Sequence, residues 1–362
     1  MTEPLSPAGP PAEITHLVRE RIEARARHDW PRADAIKAQI EASGWRVTDR
    51  GSRTSVSPAA PATVDVDGET RYGSARTVPS LLQEPPTAAW TVVVLASEEP
   101  ARVSRLLSAL RATAPAGTQV VVVANDPSDA QEAALLPDAP DRAPVSDAVP
   151  ELLRTSTRLG YAAALNVGLH RAAGEFVLLA DGSAWPTGDA LTPLATALGD
   201  SAIGAAGGFG LVSGAAGPLR PGALLRPDEA VGSSGLEDIT AIEGAWLAFR
   251  RSDYRDLGPL DERFVTPAWL DLWWTLRLRA GAEPEGAEYV ESAEAGEPTD
   301  SDMSETAQTR EPEVEMPEPR RALRLALPLE REQTAWPPDR SRLNRRNMYR
   351  VLDRFGWRDD LV

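Results

Sequence analysis

Short apolar runs alternate along this chain with amphipathic stretches, which is the pattern of an α/β protein. Apolar runs occur at Trp90–Ala96, Gln119–Ala124 and Phe176–Ala180, and they predict strands buried on both faces of a parallel sheet. A helix is predicted between the first two runs, with an apolar face formed by Val103, Leu106, Leu107 and Leu110. Strand, helix and strand at this spacing predict a right-handed βαβ unit.

The stretch Arg158–Asp189 is the centre of the predicted fold. It contains a helix with apolar residues at three- and four-residue steps, then Gly174 at a helix end, then the third apolar run. That run stops at the polar turn Asp181-Gly182-Ser183. Ligands of open α/β sheets bind outside the carboxyl ends of the strands, so Asp181 is a candidate ligand residue. A turn aspartate without a ligand is the alternative.

The pattern divides the chain into six parts. Residues 1–12 are predicted to be disordered, 13–56 form a helical hairpin and 57–89 form a linker rich in Pro, Ala, Thr and Ser. Residues 90–281 form the α/β domain, in which Ser213–Asp238 is predicted as a loop or lid. Residues 282–319 are acidic and predicted to be disordered, and 320–362 return as a strand and an amphipathic helix that complete the domain.

Composition excludes several classes of function. The 362 residues include no cysteine, which excludes disulfides, thiolate metal sites and cysteine nucleophiles. The three histidines are scattered along the chain, which argues against a histidine-based metal or catalytic centre. A formal charge of −16 argues against a general nucleic-acid-binding surface. No apolar run approaches the ~20 residues of a membrane helix, and no signal-peptide pattern begins the chain, so a cytoplasmic protein is expected.

Two segments carry a resemblance to a known family. The first is Arg158-Leu-Gly160-Tyr-Ala-Ala-Ala-Leu-Asn166-Val-Gly168, followed by Asp181-Gly182-Ser183. The second combines Gly244-Ala245, Arg250-Arg251 and the run Leu257-Gly-Pro-Leu-Asp-Glu-Arg-Phe264. Both resemble the family 2 glycosyltransferases, nucleotide-sugar-dependent enzymes of the GT-A fold. The resemblance implies a Rossmann-like, mostly parallel sheet flanked by helices.

This resemblance also implies site residues. Those expected to bind the nucleotide-sugar donor are Ser97, Glu98, Asp126, Arg158, Gly160 and Asn166. Asp181 and Ser183 take the place of the family's D-x-D motif and are expected to hold a divalent metal, Mg²⁺ or Mn²⁺. Three acids of the family pattern are replaced or displaced: Ala124 stands where an Asp contacts the base, Ser183 replaces the second acid of D-x-D, and Trp269 starts a helix that the family begins with acids.

Asp271 is the acid that remains near the start of this helix. The family's catalytic base lies there, and such a base must reach the attacking hydroxyl of the acceptor. A position at a helix N-terminus predicts a lowered carboxyl pKa, which suits a resting carboxylate. A favourable first-turn acid without a catalytic role is the alternative.

The N-terminal hairpin resembles the small C-terminal anticodon-binding module of cysteinyl-tRNA synthetases. The matching residues include Arg21, His28-Asp29-Trp30, Arg32–Lys37, and Gly44-Trp45 with Asp49. Basic residues suggest an RNA partner, through Arg19, Arg25, Arg32 and Lys37. The interspersed acids favour instead a solvated helix pair that docks or dimerises with protein.

Two hypotheses for function follow. One is a glycosyltransferase-like protein that moves a sugar from a nucleotide-sugar donor to a glycan or lipid-linked acceptor. The other is a catalytically inactive GT-A scaffold or binding protein. Asp181 and Asp271 facing one cleft would favour the first, and apolar filling of that cleft by Trp269, Trp273 or Trp274 would favour the second.

Overall fold

A computed structural model of the chain describes residues 10–50, 53–59, 61–96, 99–135, 150–214, 219–220, 224–227, 235–281, 318–332, 338, 341–356 and 358–361. The chain divides into two compact units, Met1–Ala62 and Thr63–Val362. Among the described residues, no helix is long and apolar enough to cross a membrane.

The N-terminal unit is a helical hairpin followed by a β-hairpin. Its elements are α1 (Ala12–Ala26), α2 (Trp30–Ala42), β1 (Trp45–Arg50) and β2 (Arg53–Pro58). Asp29 caps α2 by accepting from the Arg32 backbone N–H at 3.2 Å, a role that aspartate favours. The pKa of Asp49 is held well below its usual range, chiefly by hydrogen bonds from the buried Arg21 guanidinium. This pair ties α1 to β1.

The larger unit contains seven α-helices among its described residues. They are α3 (Pro100–Thr113), α4 (Asp129–Leu135), α5 (Tyr161–Leu169), α6 (Leu191–Leu198), α7 (Arg251–Leu257), α8 (Leu270–Ala280) and α9 (Arg342–Phe355). Its strands in the first half are β3 (Val64–Val66), β4 (Glu69–Tyr72), β5 (Ala88–Leu95), β6 (Gln119–Ala124), β7 (Glu151–Thr155), β8 (Gly174–Ala180) and β9 (Ala184–Pro186). Those in the second half are β10 (Ile203–Gly207), β11 (Gly210–Ser213), β12 (Leu224–Leu225), β13 (Leu236–Ile239), β14 (Ala241–Ile242), β15 (Trp246–Arg250), β16 (Arg321–Leu325) and β17 (Leu329–Arg331).

Ten of these strands form one sheet, in the order β13-β16-β10-β15-β8-β5-β6-β7-β4-β3. The pairs from β8 through β5, β6 and β7 to β4 are parallel, and so is the pair β10 and β16. Strand β15 is antiparallel to both β8 and β10. The start of β15 therefore lies at the same edge as the end of β8, which brings residues 243–245 beside Asp181.

Helices cover both faces of this sheet, because its central strands carry apolar residues on both faces. Val93, Val121 and Val177 belong to one apolar cluster, whereas their neighbours Val92, Val122 and Leu178 belong to another. Successive residues of a strand point to opposite faces, so each continuous apolar run supplies two cores. Helices α5, α8 and α9 contribute to the first cluster, and α3 and α6 to the second. The mixed α/β sheet flanked by helices confirms the predicted fold class.

One part of the predicted organisation is corrected. Residues 57–89 are not simply a linker, because β4 pairs in parallel with β7 and β3 extends the same sheet. The buried Arg251 guanidinium also donates to the backbone oxygens of Leu81, at 3.1 Å, and Glu84, at 2.7 Å. The polar composition of this segment does not predict these contacts, because its backbone atoms make them. The disorder predicted for 1–12 and 282–319 falls almost entirely outside the described residues.

Candidate functional site

A cleft of about 320 Å³ lies at the edge of the sheet where the parallel strands end. It is lined by Asp181 and Ser183 after β8, by Gly244 and Ala245 before β15, and by Asp271 in the first turn of α8. The fold thus brings together the predicted metal residues and the predicted base, which are distant in the sequence. This is the arrangement expected to favour the glycosyltransferase hypothesis.

The turn after β8 is fixed by hydrogen bonds and by close packing. One carboxylate oxygen of Asp181, Oδ1, accepts from the Ser183 backbone N–H at 2.8 Å and from the Ser183 hydroxyl. Gly182 lies against α3, where an added Cβ would approach Arg102 Cβ to 2.8 Å. Only glycine fits this position without a shift of the helix. Asp181 is consequently held in one orientation at the wall of the cleft.

Asp271 is half-buried, and each of its carboxylate oxygens accepts a backbone hydrogen bond. The Leu272 N–H donates to Oδ1 at 2.8 Å, and the Gly244 N–H donates to Oδ2 at 3.1 Å. Burial raises the pKa of Asp271 to about 6, more than these hydrogen bonds lower it, and the nearby Glu243 carboxylate raises it further. The lowered pKa expected from the helix terminus is therefore wrong, because desolvation by surrounding elements outweighs the helix dipole.

The segment that leads into α8 is held by the C-terminal helix. The Asn347 side chain, 1% exposed, donates to the Thr266 hydroxyl and to the Ala268 backbone oxygen, both at 3.0 Å. The Thr266 hydroxyl donates in turn to the Asn344 side-chain oxygen at 3.0 Å. Trp269 follows with a left-handed backbone, at φ 72°. Helix α9 therefore fixes the segment that presents Asp271.

We expect Asn347→Ala to destabilise the protein by about 2 kcal/mol, because it leaves the Ala268 carbonyl and the Thr266 hydroxyl without a buried donor. A looser segment also admits water to Asp271, whose pKa then falls from about 6 toward its ordinary value. Urea unfolding measures the first effect, and carboxyl-carbon NMR titration measures the second. Tyr349→Ala, which removes an exposed side chain from the same helix, is the matched control. An unchanged Asp271 pKa in Asn347→Ala would contradict the role of α9.

Tryptophans line the cleft but leave it open. Trp269 and Trp274 form part of its wall, both buried. Trp273 does not line the cleft and packs on Phe264, with ring centroids 5.7 Å apart. The volume of about 320 Å³ is enough for a small ligand. Two of the three tryptophans that the scaffold hypothesis places in the cleft therefore line it without filling it.

Asn166 has a different role from the donor contact that the resemblance implies. It is fully buried, and its amide donates to the Leu260 oxygen at 2.9 Å and to Glu262 at 3.3 Å. Its side-chain oxygen accepts from the Tyr254 hydroxyl and the Leu260 N–H, both at 3.0 Å. The side-chain amide of Asn166 is therefore used to join α5 to α7 and to the loop between α7 and α8.

The remaining predicted donor residues lie outside the cleft lining or outside the described chain. Gly160 precedes α5 and packs against Val265, which an added Cβ would approach to 3.2 Å. Asp126, at φ 54°, and Arg158 are both exposed. Ser97 and Glu98 lie outside the described residues. A donor contact by these residues stays a prediction.

Two lining residues were missed by the sequence reasoning. Glu243 is buried and accepts a bidentate pair from Arg226, from Nε at 3.0 Å and from Nη2 at 2.7 Å. Glu243 directly precedes the matched Gly244-Ala245, so its position beside a motif was an available signal. Arg226 lies in the region predicted as a loop, where no periodicity marks a functional residue.

In the N-terminal unit, three of the four basic residues suggested for RNA have acidic partners. Arg25 lies 2.5 Å from Asp49, Arg32 lies 4.0 Å from Glu20 and Lys37 lies 3.8 Å from Glu41. The hairpin thus presents mixed rather than uniformly positive charge.

Comparisons with known proteins give the following matches. Among 135 matching chains of solved structures, one is the mannosyltransferase PcManGT from Pyrobaculum calidifontis in complex with GDP-Man and Mn²⁺, with 22% identity and a TM-score of 0.39 over 56% of this chain and 55% of that one. Another is GalNAc-T7 with UDP, GalNAc and Mn²⁺, with 12% identity and a TM-score of 0.47 over 74% of this chain and 48% of that one. The chain thus spans about half the length of these two proteins. A search of curated proteins finds no match. The family model described as Glycosyl transferase family 2 matches residues 91–258, so this part of the chain is similar to that family.

Proposed function

We propose that this protein transfers a sugar from a nucleotide-sugar donor to a hydroxyl group of a glycan or lipid-linked acceptor. The observation that carries the proposal is the single cleft lined by both Asp181 and Asp271. The match of residues 91–258 to the family model supports the same reaction class.

In this proposal Asp271 is the general base. Its carboxylate accepts the proton of the acceptor hydroxyl while that oxygen bonds to the anomeric carbon of the donor sugar. The bond from that carbon to the diphosphate breaks at the same time, and the nucleoside diphosphate leaves with the electron pair. A pKa of about 6 suits this role, because Asp271 is then ionised near neutral pH yet basic enough to take a proton.

The residues after β8 are compatible with a divalent metal. Asp181 uses Oδ1 within its own turn, and no described residue donates to its Oδ2. No group of three metal-ligating acids or histidines occurs among the described residues, so Asp181 and Ser183 would hold Mg²⁺ or Mn²⁺ together with donor phosphates, as Mg²⁺ sites often do. The metal would neutralise charge on the leaving diphosphate.

The second candidate function is a GT-A-shaped scaffold that performs no transfer. The small ligand set favours it, since Asp181 would be the sole carboxylate of the D-x-D position. The two candidates differ in donor binding, which can be measured directly.

We expect UDP-, GDP- or dTDP-sugars to bind the full chain in the presence of Mn²⁺, with affinity reduced at least about tenfold in Asp181→Ala, because the lost carboxylate is the metal ligand. Isothermal titration calorimetry with and without Mn²⁺ measures this. Asp200→Ala removes an exposed aspartate that precedes β10, at the opposite edge of the sheet, and serves as the control. If no nucleotide sugar binds at millimolar concentration, the enzyme proposal fails and the scaffold remains.

A further inference from the structure

A second and larger cleft adjoins the first. We call it the arginine cleft: its volume is about 530 Å³, and its lining includes Arg226, Arg324 and Arg331, together with Glu243 and an apolar wall that contains Phe209 and Leu327. Strands β10 and β16 end beside it, at the same sheet edge as Asp181. The two clefts share Arg226 and Glu243, so a ligand in one lies next to a ligand in the other.

Positive charge exceeds negative charge in this lining. Glu243 is the acceptor for two guanidinium groups, since Arg226 pairs with it at 2.7 Å and Arg331 at 3.3 Å. The third, Arg324, is paired with Glu237 at 2.7 Å. Two of the three guanidinium groups thus share one carboxylate, that of Glu243. These arginines lie together in a chain whose formal charge is −16.

Arg331 is the residue best placed to meet a ligand. Its guanidinium lies over the Phe209 ring, 4.4 Å from the ring centre, and one nitrogen donates to Glu243. No other described residue accepts a hydrogen bond from it, and 22% of the side chain is exposed. The stacking and the ion pair hold the group in place, so its remaining N–H donors are oriented before any ligand arrives.

These features indicate the chemistry of the ligand. A fixed guanidinium fork matches the oxygens of a carboxylate or a phosphate. The apolar wall with Phe209 suits a carbon skeleton attached to such a group, as in a sugar acid or a phosphorylated sugar. A neutral glycan has no anionic oxygen to accept from the Arg331 guanidinium.

We propose that the arginine cleft binds an oxyanion group, carboxylate or phosphate, of the acceptor. The proposal rests on the proposed function, because the neighbouring cleft contains Asp271, the base that would meet the acceptor hydroxyl. Glu243 and Gly244 connect the two sites, since the Gly244 N–H donates to Asp271 while Glu243 holds the arginines. The acceptor is thus an anionic molecule that spans both clefts.

Binding of small anions tests this without any transfer reaction. The full chain, labelled with ¹⁵N-arginine and free of metal, is titrated separately with methyl phosphate, sodium glucuronate and glucose, and the arginine Nε–Hε signals are followed by NMR. We expect at least one anion to shift the Arg331 signal and glucose to have no effect. Arg331→Gln should weaken the anion at least about tenfold. Arg331→Lys, which keeps the charge but loses the fork, should retain part of the affinity.

Arg321→Gln is the matched control, because Arg321 is an exposed arginine on β16 that pairs with Asp238 and does not line the cleft. Circular dichroism verifies that the variants fold. Preference for methyl phosphate identifies a phosphorylated acceptor, and preference for glucuronate identifies a sugar acid. Equal anion binding by wild type and Arg331→Gln, or equal effects of glucose and the anions, would overturn the proposal. The donor titration with Asp181→Ala is independent, so failure of the proposed transfer activity is recognised separately.

Discussion

Asp271→Asn is expected to lower kcat for sugar transfer by roughly 10²- to 10⁴-fold, the contribution of a general base, while the affinity for the nucleotide sugar changes little. The amide keeps the size of the side chain but cannot accept the proton of the acceptor hydroxyl. Single-turnover transfer and donor titration, measured on the same preparation, separate the two effects.

The pH dependence of the wild-type rate gives an independent check. Burial raises the pKa of Asp271 to about 6, so the carboxylate is mostly protonated below that pH and cannot act as a base. The transfer rate should therefore rise as pH increases through about 6 and level off above it. A carboxyl with the lowered pKa of an ordinary helix N-terminus would instead give a flat profile between pH 5 and 7.

Asp189→Asn is the matched control for the catalytic role. Asp189 also precedes a helix and accepts from the Leu191 and Thr192 N–H groups, both at 3.0 Å, but it does not line the cleft. Burial alone would raise the pKa of Asp189, but hydrogen bonds from the Thr192 side chain and from these two backbone groups together lower it. Asp189→Asn should leave the transfer rate and its pH profile unchanged. Equal rates for wild type and Asp271→Asn would show that Asp271 is only a first-turn acid.

Asn166→Ala is expected to cost about 3 kcal/mol of the free energy of unfolding, because it strands the buried Tyr254 hydroxyl and both backbone groups of Leu260. Urea unfolding followed by tryptophan fluorescence reports this loss, since Tyr254 packs against Trp274 with ring centroids 6.0 Å apart. At temperatures where the variant is folded, its affinity for the donor should equal that of the wild type.

Arg158→Ala is the matched control for the structural role of Asn166. Arg158 belongs to the same family-like segment but is exposed, so its removal should leave stability within about 0.5 kcal/mol of the wild type. If Asn166→Ala were as stable as the wild type and bound the donor weakly, the donor contact implied by the resemblance would be right and the structural role wrong.

The parts of the fold that the sequence predicts are those with a strong local signal. The apolar runs at β5, β6 and β8 and the periodic faces of α3, α5 and α9 are all present in the structure. Gly168 lets α5 pack closely on the sheet, because a Cβ at this position would lie 2.6 Å from Val93 Cγ1. The pairing of β4 with β7 was not predictable, since a short polar strand at a sheet edge carries no periodic pattern.

The candidate site divides in the same way. The sequence identifies Asp181 at a strand end and Asp271 at a helix start, because strand ends and helix starts are local features. It does not show that Asp271 has a raised pKa. That pKa depends on burial by neighbouring elements: Gly244, just before β15, contacts the carboxylate, and Asn347 of α9 holds the segment that precedes Asp271. It also does not select Arg226 or Arg331, which contribute to a site only because distant segments meet at one sheet edge.

The sequence alone determined the α/β class, the order of the main elements and two acids that a transfer reaction would need, because periodicity and turn chemistry act over a few residues. The tertiary structure decided which of those residues share a cleft, how burial tunes the pKa of Asp271, and where positive charge gathers at Arg331. The burial and the electrostatic surroundings of a residue depend on groups from all the elements packed around it. The order of strands in the sheet determines which elements these are.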